Sequence, residues 1–368
     1  MSFLWYWPAG GWNFDAWRKS HDWEAIESEQ SGKAEPIPLV TDGMTAAQWT
    51  KEQQKWRKVS EQILGSLSDG APTKFRHELL GAKYRAEKYS MQRVRYTLTD
   101  EEWGYAWLMT PHERRVTDGV VIAHHQTVPS GKDEPVALDV VPEADAGVYY
   151  AKEMAERGFV VLAPDAIAFG ERMADHRNAK YRSADQFFAA QPHGSVMGKM
   201  AFDTSRAIDL LKAMPKLNAK RIGCVGHSHG AYGTLFSMIA DPRIDAGVMS
   251  CGVSLIRDDP NPERWWRRTS LIPRLGFYEA DKSKTPIDFH IWLALVAPRP
   301  VLVIGGTQDT IFPNQAALPK RLAEVRKVYQ LLGKPDALEE FVFDGPHSFH
   351  ATARQRGYAL LERELKAD

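Results

Sequence analysis

The sequence predicts an α/β domain, a mainly parallel central sheet covered by helices on both faces. Three observations predict it. Short, nearly continuous apolar runs alternate with helix-like segments, and strands that are apolar on both sides belong in a parallel sheet buried on both faces. One of these runs, beginning at Arg221, feeds directly into Gly226-His227-Ser228-His229-Gly230 and then into small residues suited to open a helix. That is the form of a strand turned abruptly into a helix with the serine lifted at the turn. No internal repeat, low-complexity tract or flexible linker interrupts the pattern, so the 368 residues read as one large domain with extensions.

Residues 1–88 show no strand alternation and read as a Trp-rich, partly helical extension packed on the core. Its start carries Trp5, Tyr6, Trp7, Trp12 and Trp17, and aromatics of this size are expected to pack wherever they land. Between Thr45 and Leu67 the residues Trp49, Trp56, Val59 and Ile63 fall on one helical face among charged positions. From Tyr89 to Met109 the period changes to two, with a turn near Thr99-Asp100-Glu101, which predicts an antiparallel hairpin. Buried strands then follow at Gly119–Ala123, Phe159–Ala163, the run into Ser228, Ile244–Cys251, Pro300–Ile304 and Glu340–Phe343. Helices are expected over about 146–157, over 199–214 with Ala207, Leu210, Leu211 and Met214 on one face, and after residue 350 with Tyr358, Leu361 and Leu365 sharing a face. The main domain therefore spans 89–368, with insertions at about 168–198 and 253–297. Both insertions leave the carboxyl ends of strands, where open α/β sheets bind ligands, and are the expected roof of a pocket.

Acidic and basic residues balance at 47 each, so no whole-chain field draws in nucleic acid or an anionic membrane, and a small molecule is the expected partner. The two cysteines, Cys224 and Cys251, lie in apolar runs and read as buried thiols rather than a disulfide. The first residues lack a basic region and a long aliphatic stretch, so no signal peptide is read, and no run is long enough to span a bilayer. Cytoplasmic residence is the default expectation, and the aromatic extension makes a homodimer plausible.

A serine hydroxyl is a weak nucleophile at neutral pH and needs a base, which in turn needs an orienting acid. Ser228 is the candidate nucleophile. Flanking glycines suit it sterically, because side chains at Gly226 or Gly230 would meet neighbouring backbone. Asp309 follows the strand Val301–Ile304 and a Gly-Gly pair, the position of an orienting acid. His347 follows the last strand and a Gly-Pro turn, and is the expected base; its rival His350 sits nearer the helix start, where capping or packing is more natural. Asp165 and Glu171 are alternative acids. His124 and His125 invite a metal, but adjacent histidines at a strand end point differently and no other cluster has zinc spacing, so no metal is expected.

These residues, in the order Ser, Asp, His, resemble the α/β-hydrolase superfamily, in the branch of dienelactone-hydrolase-like and acetylxylan-esterase-like carboxylesterases. Further similarity lies in Leu162-Ala163-Pro164-Asp165 with Phe169-Gly170-Glu171-Arg172, and in Leu295-Val296-Ala297-Pro298-Arg299-Pro300. The resemblance covers Tyr89 to the C-terminus. It implies an α/β-hydrolase fold and hydrolysis of a small-molecule carboxylic ester through a Ser228-His347-Asp309 triad and an acyl-enzyme, with no cofactor. A peptidase or amidase using the same triad, or a catalytically silent binding protein, are the alternative readings. Family geometry implies one oxyanion donor from the backbone N–H of His229 and another from the loop after Gly119–Ala123, here His125-Gln126-Thr127 in place of the usual His-Gly, with Gln126 favoured over Thr127. His125, Thr127, His227, Trp265 and Trp266 are the candidates to line the substrate pocket; for the two tryptophans, packing within the insertion is an equal alternative.

Overall fold

Strands that are apolar on both faces are satisfied only inside a sheet covered on both sides, and among the described residues of the computed structural model nine strands form one such sheet. It describes residues 12–19, 38–65, 70–116, 119–138, 146–173, 184–313 and 317–366. The strands are β1 (His77–Arg85), β2 (Tyr89–Thr97), β3 (Trp103–Pro111), β4 (Gly119–His124), β5 (Val160–Pro164), β6 (Arg221–His227), β7 (Ala246–Ser250), β8 (Val301–Gly306) and β9 (Leu338–Phe343). Their order across the sheet is β1-β2-β3-β5-β4-β6-β7-β8-β9. The β1 to β3 meander and its junction with β5 are antiparallel, and every pairing from β5 to β9 is parallel. The order reverses where β4 lies between β5 and β6, and the carboxyl ends of strands at such a reversal form a crevice.

The helices are α1 (Phe14–Lys19), α2 (Ala46–Leu64), α3 (Tyr150–Glu156), α4 (Ala184–Ala190), α5 (Val196–Lys212), α6 (His229–Ala240), α7 (Phe289–Ala294), α8 (Leu318–Leu331) and α9 (Ala351–Leu365). Tyr150 and Met154 of α3 and Leu361 and Leu365 of α9 build the core on one sheet face. Leu210 of α5, Phe236 of α6, Trp292 of α7 and Val325 of α8 build the other. The hairpin and all six later strands fall where the apolar pattern puts them, with ends shifted by one or two residues. Cys224 and Cys251 are free and buried.

One element differs from the sequence reading. Residues 77–85, assigned to a strandless extension, form β1, paired with β2 from His77↔Tyr96 to Arg85↔Ser90. This strand lies at the sheet edge with almost every residue exposed, so neither face imposes the apolar alternation by which a strand is recognised. Its register shifts between Leu80 and Tyr84, where Gly81 takes a positive φ of 64°.

The extension joins the main core through α2. Thr45 caps this helix by accepting from the Gln48 amide at 3.3 Å, while Gln48 Oε1 accepts from the Thr45 amide at 2.8 Å, the reciprocal arrangement that satisfies orphan donors at a helix start. Trp49, Trp56, Val59 and Ile63 are all buried, as their helical spacing predicts. Arg57 reaches across to the carbonyls of Ile239 and Leu295, and Trp292 Nε1 donates to Ser60 Oγ at 2.9 Å. Trp12 and Trp17 pack on the insertions, donating to the carbonyls of Trp266 at 2.5 Å and Pro192 at 3.0 Å. Trp5, Tyr6 and Trp7 lie outside the described residues. The second insertion is a chain of short 3-10 turns at Pro262–Trp265, Pro273–Tyr278 and Lys282–Lys284 that leads into α7. Among the described residues no helix is long and apolar enough to cross a membrane.

Because α2 contributes to the main core, Trp56→Ala is expected to lower unfolding free energy by about 3–5 kcal/mol, as for other buried aromatics. Denaturant unfolding measures it; a loss below about 1 kcal/mol would place α2 outside the cooperative unit.

Candidate active site

β6 ends at His227 and α6 begins at His229, leaving Ser228 alone to make the turn, at φ 54° and ψ −115°. A positive φ at a non-glycine residue costs about 1–3 kcal/mol and persists only where the surroundings enforce it. Here they do. The Ser228 amide donates to the Ser250 carbonyl at 2.8 Å, and the Ser228 carbonyl accepts from Ala231 at 2.9 Å. A Cβ at Gly226 would lie 2.2 Å from the Gly230 carbonyl carbon, and one at Gly230 would lie 2.2 Å from the His124 carbonyl oxygen. Both glycines are therefore demanded by backbone approaching backbone.

Asp309 and His347 come together from the loops after β8 and β9. Parallel pairing of these strands extends into the loops, where the amides of Thr307 and Gln308 donate to the carbonyls of Phe343 at 3.0 Å and Gly345 at 2.9 Å. Asp309 is buried, and its Oδ1 accepts from the amides of Ile311 at 2.8 Å and Phe312 at 2.9 Å. Its Oδ2 accepts from His347 Nδ1 at 2.7 Å. A carboxylate only accepts, so the Nδ1 position carries the proton and Nε2 is left as the acceptor. The His347 ring rests 4.8 Å from the His227 ring and 5.7 Å from Phe312. His350 stands elsewhere: its Nδ1 accepts from the Thr352 amide at 3.3 Å and its ring stacks on Phe343, so it caps α9. Arg264 of the second insertion stacks 5.1 Å over Phe312 and donates to the Ile311 carbonyl, tying that insertion to the loop that carries Asp309.

Among the described residues one group has metal-ligand spacing, Cys251, Asp309 and His347, with donor atoms within 4.8 Å of one another. Burial pushes the Cys251 thiol up to about 12, and its Sγ contacts the Ser348 carbonyl at 3.4 Å. A protonated thiol is a poor metal ligand, and the other two members are already bonded to each other.

Asp165 and Glu171, the alternative acids, belong to another network. Both bind the buried Lys132 ammonium, at 2.8 Å and 2.7 Å. Beside them Arg172 joins Glu102 and Asp203, which also hold Lys199. Such pairs tolerate burial only because each charge is matched. The sequence reading missed this network apart from its Asp165 and Phe169–Arg172 segments.

The candidate pocket residues are placed as follows. His125 is 1% exposed; its Nδ1 donates to the Gln126 carbonyl at 2.6 Å and its Nε2 accepts from the Ala166 amide at 3.0 Å, so both nitrogens serve the fold. His227 is buried with Nδ1 on Ser250 Oγ at 3.0 Å and its ring under His347. Trp265 and Trp266 are buried too: Trp265 packs on Phe289 at 5.0 Å and Tyr232 at 5.2 Å, while Trp266 Nε1 donates to Glu279 at 3.3 Å. Their large apolar area is better satisfied inside the insertion than on a pocket wall. Gln126 and Thr127 stay partly exposed. The Gln126 side chain donates to Glu134 at 2.8 Å. The His229 ring is buried against His125, Phe169 and Tyr232.

A model of the dienelactone hydrolase family matches residues 143–366. A carbohydrate esterase from an unknown prokaryotic organism is 26% identical over 169 residues, 42% of this chain and 38% of that enzyme. YtaP of Bacillus subtilis (strain 168), named as a hydrolase without firm assignment, is 24% identical over 313 residues, 84% of this chain and 98% of that protein. The glucuronoyl esterase of Solibacter usitatus superposes with a TM-score of 0.70 at 16% identity, covering 92% of this chain and 98% of that one.

Burial keeps His124, His125, His227 and His229 neutral. It lowers His124 to about 3 and His125 to about 4, with the charges of Lys132 and Arg172 adding to the effect at His125, and it holds His227 and His229 well below the ordinary value. In the unfolded chain they titrate near about 6.5. Above that pH neither state is protonated; below it the unfolded chain binds protons that the folded one refuses, at about 1.4 kcal/mol per histidine per pH unit. Stability is therefore expected to fall as pH drops below about 6.5, and for His125 to keep falling until about 4. His125→Gln should flatten the stability profile between pH 6 and 5 by about 1.4 kcal/mol per unit relative to wild type. Denaturant unfolding at several pH values measures this; an unchanged slope would contradict it.

Proposed function

The chain belongs to the dienelactone hydrolase family, and from that premise we propose that it is a carboxylic ester hydrolase working through Ser228, His347 and Asp309. The observation that carries the reading is the 2.7 Å hydrogen bond from His347 Nδ1 to the buried Asp309, made by a ring that lies 4.8 Å from that of His227, the residue before a serine held at positive φ on a strand-to-helix turn. His347 Nε2 takes the Ser228 proton as Oγ attacks the ester carbonyl. Asp309 orients the imidazole and stabilises the imidazolium that results. The backbone N–H groups of His229 and Gln126, with Thr127 adjacent, receive the charge that develops on the carbonyl oxygen. The tetrahedral intermediate collapses, the C–O bond to the alcohol breaks, and the proton passes from His347 to the departing alkoxide. Water, deprotonated by the same histidine, then attacks the acyl-serine, and collapse returns the proton to Ser228 and frees the acid.

A carbohydrate esterase and a glucuronoyl esterase among the relatives support a sugar ester as substrate. We extend that class to this chain. The described insertion covers the acid loop with Arg264 and buried tryptophans, so the alcohol and acyl groups are expected to be received between this cover and the Gln126-Thr127 loop.

A fluorophosphonate probe is expected to label the wild type and to leave Ser228→Ala unlabelled. On p-nitrophenyl acetate, Ser228→Ala and His347→Ala should each lose about a millionfold in kcat, and Asp309→Asn about ten-thousandfold. His350→Ala should turn over near the wild-type rate. An unlabelled wild type, or loss of turnover in His350→Ala with retention in His347→Ala, would overturn the assignment.

A further inference from the structure

We propose that His125 is a positioning residue that aims the backbone donor of the loop after β4 at the oxyanion, an inference that rests on the esterase reading above. A backbone amide only donates, so the bond from the Ala166 N–H to His125 Nε2 at 3.0 Å makes that nitrogen the acceptor and leaves the ring proton on Nδ1. Nδ1 donates in turn to the Gln126 carbonyl at 2.6 Å. The same carbonyl accepts from the Val128 amide at 2.9 Å, so both of its lone pairs are engaged. The peptide joining Gln126 to Thr127 is trans, and in a trans peptide the N–H points opposite to the C=O within one plane. Holding the Gln126 carbonyl therefore fixes the direction of the Thr127 N–H and the turn of the chain at Gln126. The ring that does this has no freedom to turn: it is buried edge-on against Phe169 at 5.1 Å and stacked on His229 at 5.9 Å. His229 opens α6 and carries the other donor, so one imidazole touches both segments that supply the oxyanion hole. Farther along the loop, the Gly170 amide on the Pro129 carbonyl at 3.1 Å and the Lys132 amide on Asp165 at 2.8 Å hold it to the segment after β5, but neither bonds the Gln126-Thr127 peptide. Oxyanion donors work by being placed before charge develops, so the bond from Nδ1 acts on the transition state more than on the bound ester.

The two bonds of the ring can be separated. His125→Asn puts an amide N–H where Nδ1–H stands and gives up the Ala166 bond, whereas His125→Gln keeps an acceptor near Nε2 and gives up the bond to Gln126. With p-nitrophenyl acetate, His125→Gln is expected to lower kcat about tenfold, less than loss of a whole donor, with KM within about twofold. Affinity for a trifluoromethyl ketone should fall by the same factor, and His125→Asn should keep kcat within about threefold of the wild type. A merely structural ring would instead cost activity in step with unfolding stability in both variants, which denaturant unfolding reads alongside. Full kcat in His125→Gln, a loss confined to KM, or equal losses of kcat in the two variants would overturn the assignment. Should His125→Gln fail to fold, a crystal structure of the wild type with the trifluoromethyl ketone decides: the hemiketal oxygen is expected on an amide of the Gln126-Thr127 loop with the Gln126 carbonyl still on His125 Nδ1, and a carbonyl turned off His125 would overturn the assignment. A wild type that hydrolyses no ester overturns the esterase reading and this assignment together. An active wild type with an equally active His125→Gln overturns this assignment alone.

Discussion

The site depends first on the close approach of backbone to backbone at the turn between β6 and α6. Gly226 faces Gly230, and Gly230 faces the carbonyl of His124, so three segments meet where no Cβ fits. This contact fixes the N-terminus of α6 relative to the end of β4, and with it the relation between Ser228 and the loop His125-Gln126-Thr127. The bond from the Ser228 amide to Ser250 adds the end of β7. A serine at positive φ is strained, and these contacts keep it there.

Asp309 and His347 arrive by a second constraint, parallel pairing of β8 and β9 that continues into their loops. Because Thr307 and Gln308 bond across to the β9 loop, Asp309 and His347 leave neighbouring strand ends already in register. Buried charge around the site is matched at each position, Lys132 with Asp165 and Glu171, Arg172 with Glu102 and Asp203. His124, His125, His227 and His229 are handled in the opposite way, by burial that keeps them uncharged. An aromatic and imidazole layer can then pack tightly beneath His347 and beside the His125-Gln126-Thr127 loop without mutual repulsion.

How much of this was legible in the sequence follows from which constraints are local. The buried parallel strands declare themselves because both faces must be apolar, and the α2 face because Trp49, Trp56, Val59 and Ile63 repeat at helical spacing. The positions of Ser228, Asp309 and His347 were legible because each follows a strand end. β1 was not, since an exposed edge strand carries no alternation. Pocket side chains were legible least. Whether His125 or Trp265 faces substrate or core depends on what the insertions and β5 place against it, and adjacency to Gln126 or Trp266 in sequence says nothing of that.

The most direct measurement is a crystal structure of the protein after reaction with diethyl p-nitrophenyl phosphate. The expected result is a phosphoryl group on Ser228 Oγ, with its non-bridging oxygen accepting from the backbone N–H groups of His229 and the Gln126-Thr127 loop, and with His347 still on Asp309. Modification of a different residue, or a phosphoryl oxygen turned away from both amides, would contradict the assignment of nucleophile and oxyanion hole.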